Sequence, residues 1–381
     1  MKTSNNLKFI AYAFILFPTT LWQTADAQQN VQQPYPFEDQ IRLETSPVKD
    51  QHKTGTCWCF ATVSFLETEL LRMGKPEFDL SEMFLVRHTY MQKAKDYVMY
   101  HGHNNFSQGG QAHDAITELK QHGIVPESVY TGINYDGQKH VHTGLISILN
   151  NYLDSLVQKT QEPLSPDWKQ AYQNILNGHF GAIPGQFIFK EKSFNPRSYL
   201  EYLEINPDNY IELTSFTHHP WYRQFDLEVP DNWAHQDYFN LPIGELLKVM
   251  EHSIHSGYSI VWDGDVSNNG FSHKRGLAVV PRGDENLDKL PVDEKNINQQ
   301  LRQRLFLNQT LTDDHLMHIT GMAKDQHNNK FFITKNSWGA ESNDFGGFLY
   351  MSAPYIRLNT IAIMVHKEAI PAEIRKKLDC L

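Results

Sequence analysis

Apolar residues in the first third of the chain recur at the spacing of amphipathic helices. One stripe follows Gly55 and comprises Cys59, Val63, Leu66 and Leu70. A second helical pattern begins at Ser81, and a third follows a Gly-Gly turn at residues 109–110. Further helices are predicted from the segments LISILNNYLDSLVQ, DWKQAYQNILN and IGELLKVMEHSIHSG.

The last third of the chain has patterns typical of strands. YSIVWDGDVS reads as one strand, HLMHITGMAKD and KFFITKNSWG read as two more around a polar turn at residues 326–329, and GGFLYMS follows. Helices therefore come first and a mostly antiparallel sheet comes last. This order predicts the α+β class.

The N-terminus resembles a signal peptide over residues 1–27. Lys2 and Lys8 lead into the apolar run Phe9–Phe17, and an Ala-Asp-Ala sequence ends at Ala27. The run is shorter than the roughly 20 residues that a bilayer span requires, so no stable membrane anchor is expected. We predict cleavage near Ala27, export to the periplasm or medium, and a linker or extended segment over residues 28–46.

Composition narrows the classes of function. The formal net charge of -10, without a long Lys/Arg run, gives no support for nucleic-acid binding. Three cysteines in 381 residues do not form a disulfide framework. An unpaired thiol in an exported protein needs a reason, and catalysis is one.

Two of the cysteines, Cys57 and Cys59, flank Trp58. Two residues along a helix correspond to about 200° of rotation, so their sulfur atoms should point to opposite sides. Cys59 lies on the apolar stripe and should fill space in the core. Cys57 lies at the predicted helix start, where unpaired N–H groups lower the pKa of a thiol and favour the nucleophilic thiolate.

The segment PVKDQHKTGTCWCFA, residues 47–61, resembles the active-site segment of papain-like cysteine peptidases. The resemblance implies that Cys57 is the nucleophile. It also implies that the side-chain amide of Gln51 and the backbone N–H of Cys57 form an oxyanion hole, a device that strongly stabilises the transition state of acyl transfer.

A cysteine nucleophile needs a base, and His315 and His318 compete for that role. They are three positions apart on a predicted strand and so face opposite sides. A turn centred on residues 326–327 pairs residue 317 with Asn336, which makes His315 the diagonal neighbour of Asn336; a one-residue slip would select His318 instead. In the papain-like pattern the catalytic His precedes a Gly by six positions, and Gly321 then selects His315.

Two further motifs strengthen the resemblance. Asn336 opens NSWG, which implies that its amide oxygen orients the imidazole and that Trp338 shields that hydrogen bond from water. QGGQ implies that Gly109 and Gly110 hydrogen-bond the backbone of an extended peptide substrate, because glycine permits close backbone approach.

The length of the chain between nucleophile and base points to one branch of the family. Roughly 130–150 residues separate the nucleophile from the base in papain-type chains, and Cys57 and His315 are farther apart in sequence than that. The enlargement, together with TSFTHHPWY, VPDNW, GYSIVWDGDVS and VVPR, resembles the bleomycin hydrolase and aminopeptidase C branch. The resemblance implies a papain-like two-subdomain fold over residues 47–381, a helical subdomain plus an antiparallel sheet or barrel, with a helical insertion at about 140–240. It also implies peptide substrates, aminopeptidase activity and a homo-oligomer.

Alternatives remain open at this stage. The chain stops at Leu381, soon after its last helical segment, so the C-terminal arm that restricts this branch to aminopeptidase action looks truncated. An endopeptidase or a dipeptide-releasing enzyme is therefore the nearest alternative, and a non-catalytic peptide-binding protein is a distant one. Histidines such as His101 and His103 raise the question of metal, but no full ligand set at the usual spacing stands out. We expect neither a metal nor a cofactor.

Overall fold

The computed structural model describes residues 35–158, 163–283 and 293–378, and these contain ten α-helices and thirteen β-strands. The predicted signal peptide, residues 1–27, lies outside the described residues, and so do Cys380 and Leu381. Within the described ranges, no helix combines the length and the apolar character that crossing a bilayer requires.

Six helices form the first part of the fold, and the first five lie where the sequence predicted helices. They are α1 (Cys57–Arg72), α2 (Glu82–Met99), α3 (Ala112–His122), α4 (Thr143–Val157), α5 (Trp168–Phe180) and α6 (Pro196–Leu203). Ser81 caps α2, because its hydroxyl accepts a hydrogen bond from the backbone N–H of Phe84. α1 is buried on every side from Cys57 to Leu70.

The strands form one large sheet and a small hairpin. They are β1 (Glu38–Arg42), β2 (Phe187–Phe189), β3 (Lys192–Phe194), β4 (Tyr210–Thr214), β5 (Gln224–Asp226), β6 (Asp237–Asn240), β7 (Ile260–Gly264), β8 (Phe271–Ser272), β9 (Leu277–Ala278), β10 (His315–Lys324), β11 (Lys330–Lys335), β12 (Phe348–Ser352) and β13 (Thr360–His366). The remaining helices are α7 (Ile243–His255), α8 (Gln299–Leu307), α9 (Ala353–Asn359) and α10 (Ala372–Arg375).

The large sheet is mostly antiparallel, as predicted. Its order is β5-β6-β4-β13-β7-β10-β11-β12-β9-β8, and β1 also pairs with β10. Only the pairs β4–β6 and β9–β12 are parallel among the described strands. This order does not close on itself within the described residues, so the sheet is open rather than a barrel, and the fold belongs to the α+β class.

The region predicted as a helical insertion, residues 140–240, is helical only in its first part. After α4, α5 and α6 the chain forms β4, β5 and β6, which extend the large sheet from β13. The apolar stretch Tyr210–Thr214 is short, and periodicity cannot separate a buried strand from a helix over five residues. Pairing with β13 decides in favour of a strand.

The two largest hydrophobic cores lie on opposite faces of the large sheet. One core lies among α1 to α6 and includes Val261 and Leu316 of the sheet. The other lies between the sheet and α7 and α9. The start of α1 therefore lies against β10, the central strand that pairs with β7, β11 and β1.

Candidate active site

Cys57 is the first residue of α1 and faces the start of β10. The helix has no side-chain cap at Thr56, and the backbone N–H groups of Leu316 and Trp58 stabilise the thiolate form of Cys57. Leu316 directly follows His315, so this interaction brings the thiol next to the predicted base. Cys59 is fully buried on the other side of α1, where its thiol donates to the carbonyl of Glu82 over 3.3 Å.

The pKa of the Cys57 thiol is higher than expected for a cysteine at a helix start. Cys57 is only 9% exposed, and burial raises the pKa of its thiol to about 12. Asp231 and Asp263 raise that pKa further, while the two backbone N–H groups lower it. The cost of desolvating the thiolate therefore outweighs the stabilisation that the helix N-terminus provides. Cys57 is a neutral thiol in the free protein.

His315 begins β10, and Asn336 follows directly after the end of β11. The Nε2 atom of His315 lies 2.8 Å from the Oδ1 atom of Asn336. Burial lowers the pKa of His315 to about 4, and the hydrogen bond to Asn336 opposes that shift. The imidazole is therefore neutral at pH 7 and able to accept a proton.

A chain of hydrogen bonds fixes the tautomer of this imidazole. The Nδ2 atom of Asn336 lies 3.1 Å from the Nδ1 atom of His273, whose Nε2 lies 2.7 Å from the Ser342 hydroxyl. Because Nδ2 is a donor, the Oδ1 atom of Asn336 faces His315 and accepts its Nε2–H. The free Nδ1 of His315 then acts as the base. No sequence motif marks His273.

Trp338 covers this arrangement. Its ring stacks on the His315 ring, with 5.0 Å between centroids and 30° between planes, and meets the His273 ring edge-on at 4.7 Å. Trp338 is 37% exposed, so its outer side faces solvent while its inner side excludes water from the imidazole. This position matches the shielding role expected from NSWG.

His318 lies on the opposite side of β10. It is fully buried, and its Nδ1 lies 2.9 Å from the Ser64 hydroxyl, which accepts a hydrogen bond from the Lys335 ammonium at 2.8 Å. Burial lowers the pKa of His318 well below its ordinary value. His318 therefore belongs to a buried polar group between α1 and the sheet and does not reach Asn336.

Gln51 connects the segment before α1 to the NSWG segment. Its backbone N–H donates to the carbonyl of Ser337 over 2.8 Å, and its Oε1 accepts from the Ser337 hydroxyl over 2.6 Å. The Nε2 atom must then lie on the other side, where it donates to the carbonyl of Thr54 over 2.7 Å. An amide nitrogen has two hydrogens, so one remains for a substrate oxygen.

The glycine pair predicted to bind substrate is anchored beside α1. The indole N–H of Trp58 donates to the carbonyl of Gln108 over 3.0 Å, and the Lys93 ammonium donates to the carbonyl of Gly109. A Cβ atom at Gly109 would collide with the carboxylate of Asp231, and one at Gly110 would collide with that of Asp114. The packing of these two carboxylates therefore explains glycine at both positions, and substrate binding by Gly109 and Gly110 stays a prediction.

Three carboxylates near the thiol were not predicted from sequence. Asp231, Asp263 and Asp313, here called the acidic cluster, come from three separate segments and interact with one another electrostatically. Asp313 stands two residues before His315, and Asp263 lies on β7 opposite Leu316. No motif marks them, because only the fold brings the three segments together.

Among the described residues, two groups of side chains have the composition of a metal site, and neither fits one well. His218 and His219 both contact Glu228, but the Gln303 amide donates to Nδ1 of His218, which leaves Nε2 as the protonated nitrogen. His88 and His122 lie beside Glu118, but their rings stack in parallel at 3.9 Å and 13°. Nitrogen lone pairs on parallel rings do not converge on one ion.

Comparisons with known proteins agree with this geometry. Residues 186–380 match the Peptidase C1-like family, and residues 37–176 match the papain family of cysteine proteases. The first match covers more than half of the chain. The chain therefore belongs to the Peptidase C1-like family of cysteine peptidases, which confirms the resemblance found in the sequence.

Individual relatives are distant but cover most of the chain. Mitochondrial cysteine proteinase 1 of Saccharomyces cerevisiae is 21% identical over 90% of this chain and 79% of its own length. Aminopeptidase G of Lactobacillus delbrueckii is 22% identical over 88% of this chain and 84% of its own length. The crystal structure of PepW from Lactobacillus rhamnosis, 18% identical, covers 90% of this chain and 84% of its own with a TM-score of 0.72, and it shows that the two share a fold.

Proposed function

We propose that this protein is an aminopeptidase that cleaves peptides through a thioester on Cys57, with His315 as general base and then general acid. One observation carries the proposal: the imidazole of His315 lies 2.8 Å from Asn336, while the backbone N–H of the next residue on the same strand interacts with the Cys57 sulfur. Nucleophile, base and orienting amide thus meet at one point.

In the first half of the reaction, Nδ1 of His315 accepts the thiol proton as the Cys57 sulfur attacks the substrate carbonyl carbon. The oxyanion that forms accepts hydrogen bonds from the Cys57 N–H and the free Nε2–H of Gln51. The first turn of α1 supplies no internal acceptor for that backbone N–H. Each such donor is worth about 3 kcal/mol of transition-state stabilisation. His315 then donates its proton to the leaving amine, and the carbonyl remains on sulfur as a thioester.

In the second half, His315 removes a proton from water, and the hydroxide attacks the thioester carbonyl. The same two donors stabilise the second oxyanion. The carbon–sulfur bond breaks, the acid product leaves, and the proton held by His315 returns to the Cys57 sulfur. Asn336 keeps the imidazole oriented through both halves, since it accepts the Nε2–H in each protonation state.

The restriction to aminopeptidase action is supported by the names of relatives: aminopeptidase G of L. delbrueckii and aminopeptidase C of Streptococcus thermophilus. Gly109 and Gly110 are proposed to hold the substrate backbone as an added strand.

Two cysteine variants test the chemistry. An iodoacetamide-type probe should label the wild type and Cys59→Ala, and should fail to label Cys57→Ala. Hydrolysis of an aminoacyl-coumarin should follow the same order. Labelling and turnover that survive in Cys57→Ala and disappear in Cys59→Ala would reject the assignment of the nucleophile.

We also propose export with cleavage near Ala27, on the strength of the basic start, the apolar run and the Ala-Asp-Ala sequence. N-terminal sequencing of protein recovered from the periplasm or medium tests this. A mature chain that begins at residue 28 supports the proposal, and recovery of uncleaved protein only from the cytoplasm contradicts it.

A further inference from the structure

The acidic cluster gathers three carboxyl groups with little positive charge around them. Lys93 is the one cation among the main electrostatic neighbours of Asp231, and Asp263 and Asp313 have none among theirs within the described residues. The Lys93 ammonium is already engaged with the carbonyls of Ser107 and Gly109. Burial and mutual repulsion raise the pKa of Asp263 well above its ordinary value and that of Asp313 to about 7.

Two buried polar side chains at the cluster are short of hydrogen-bond donors. Asp263 is 3% exposed, and the Gln111 side chain is the one hydrogen-bond donor among the main influences on its carboxylate. Gln111 is 1% exposed, its Nε2 also lies 3.5 Å from the Asp313 carboxylate, and its Oε1 has no partner among the described residues. A buried acceptor without a donor costs about 1–3 kcal/mol, so carboxylates that share one amide donor favour the binding of a donor-rich group.

The cluster also lies at the segment proposed to hold the substrate. Asp231 Oδ1 accepts from the Asn105 amide at 3.2 Å and from the Ser107 hydroxyl at 3.4 Å. Its Oδ2 is directed at Gly109, where any Cβ would collide with it. A ligand that contacts the backbone of Gly109 therefore lies close to Oδ2 of Asp231.

We propose that the acidic cluster binds a substrate ammonium group, with Asp231 Oδ2 as the contacting acceptor, and that the bound positive charge favours the ionised forms of Asp313 and Asp263 behind it. This inference rests on the proposed function and deepens it, because the ammonium is the free amino terminus of the peptide. An ammonium group offers three hydrogen-bond donors and one positive charge. The acidic cluster is short of both donors and neutralising cations, so an ammonium is the kind of group that it can bind. Its binding also offsets the repulsion that Asp231 and Asp263 exert on a Cys57 thiolate.

The test compares three coumarin reporters on the full-length protein: leucyl, N-acetyl-leucyl and N-acetyl-lysyl. The first offers an α-ammonium, the second offers none, and the third offers an ammonium only on its side chain. The kcat/KM of each is measured for the wild type, Asp231→Asn and Asp313→Asn. Glu118→Gln is the matched control, since it removes a buried carboxylate of raised pKa on α3 outside the cluster.

We expect the wild type and Glu118→Gln to prefer the leucyl reporter over its acetylated form. Asp231→Asn should lose at least about tenfold of kcat/KM on the leucyl reporter, mainly through KM, with little change on the acetylated one. Asp313→Asn should show a smaller loss in the same direction, which keeps the test valid if Asp231→Asn folds poorly. Preference for the leucyl reporter that persists in both folded variants would overturn the inference and leave the proposed function standing.

Two other outcomes separate the inference from the proposed function. Wild-type preference for N-acetyl-lysyl over N-acetyl-leucyl, lost in Asp231→Asn, would support ammonium binding by the cluster and reject the amino terminus as its source. Equal cleavage of all three reporters by the wild type would reject both the aminopeptidase assignment and the ammonium site.

Discussion

Replacement of Asn336 by Ala isolates the contribution of the orienting amide. The substitution removes the Oδ1 acceptor that lies 2.8 Å from Nε2 of His315 and the Nδ2 donor that faces His273. It leaves the Cys57 thiol and the Gln51 amide in place. The imidazole loses its fixed orientation at the stage of the reaction when it becomes positively charged.

The size of the effect follows from the type of hydrogen bond. His315 is buried, and it carries a positive charge only after it has accepted the thiol proton, so its bond to Asn336 is charge-assisted in the transition state. Such bonds contribute about 1.5–3 kcal/mol. At about 1.4 kcal/mol per factor of ten, kcat/KM should fall by about 10- to 150-fold.

The measurement is kcat/KM on an aminoacyl-coumarin, with the melting temperature as a check on folding. His273→Phe serves as a graded comparison, because it removes the partner that holds the Asn336 amide in its orientation and leaves that amide in place. It should cost less than Asn336→Ala. Unchanged kcat/KM in well-folded Asn336→Ala would refute the view that this amide positions the base.

Three further predictions concern neighbouring groups. His318→Asn should keep wild-type turnover and lose about 1–3 kcal/mol of unfolding free energy in urea titrations, because His318 is a buried structural group; a loss of turnover as deep as that of His315→Asn would contradict the choice between the two histidines. Trp338→Ala should admit water to His315 and raise its pKa from about 4, so the acid limb of the pH profile of kcat/KM should move to higher pH; an unmoved limb would argue against shielding. Asp263→Asn should raise the melting temperature at pH 8, and the gain should shrink toward pH 4. The pKa of Asp263 is raised in the folded state, so its ionisation costs stability as pH rises through that pKa; a pH-independent change would contradict this.

Local sequence patterns predicted much of the fold. The stripe from Cys59 to Leu70 has helical periodicity, and the structure places α1 there. Ser81 stands at the cap position of α2, as its side-chain chemistry favours. The strand Tyr210–Thr214 was missed, because a five-residue apolar run is ambiguous until a neighbouring strand pairs with it.

In the pairing of β10 with β11, a shift of one residue decides which histidine lies beside Asn336. Near the turn Gly321 pairs with Ile333, and a straight ladder continued from there would place His318 opposite Asn336. An irregularity between Ile319 and Gly321 shifts the register by one residue, so that His318 pairs with Lys335. Gly321 lies where any Cβ would collide with the carbonyl of Ile41 in β1, so packing against a third strand accompanies the shift.

The sequence by itself determined the helices, the strands near the C-terminus and the residue types of the site, because periodicity, capping and short motifs are local properties. The tertiary structure decided which histidine faces Asn336, how burial sets the pKa of Cys57, and where His273 and the acidic cluster lie. These depend on desolvation and on contacts between segments far apart in the chain. No pattern within one segment records them.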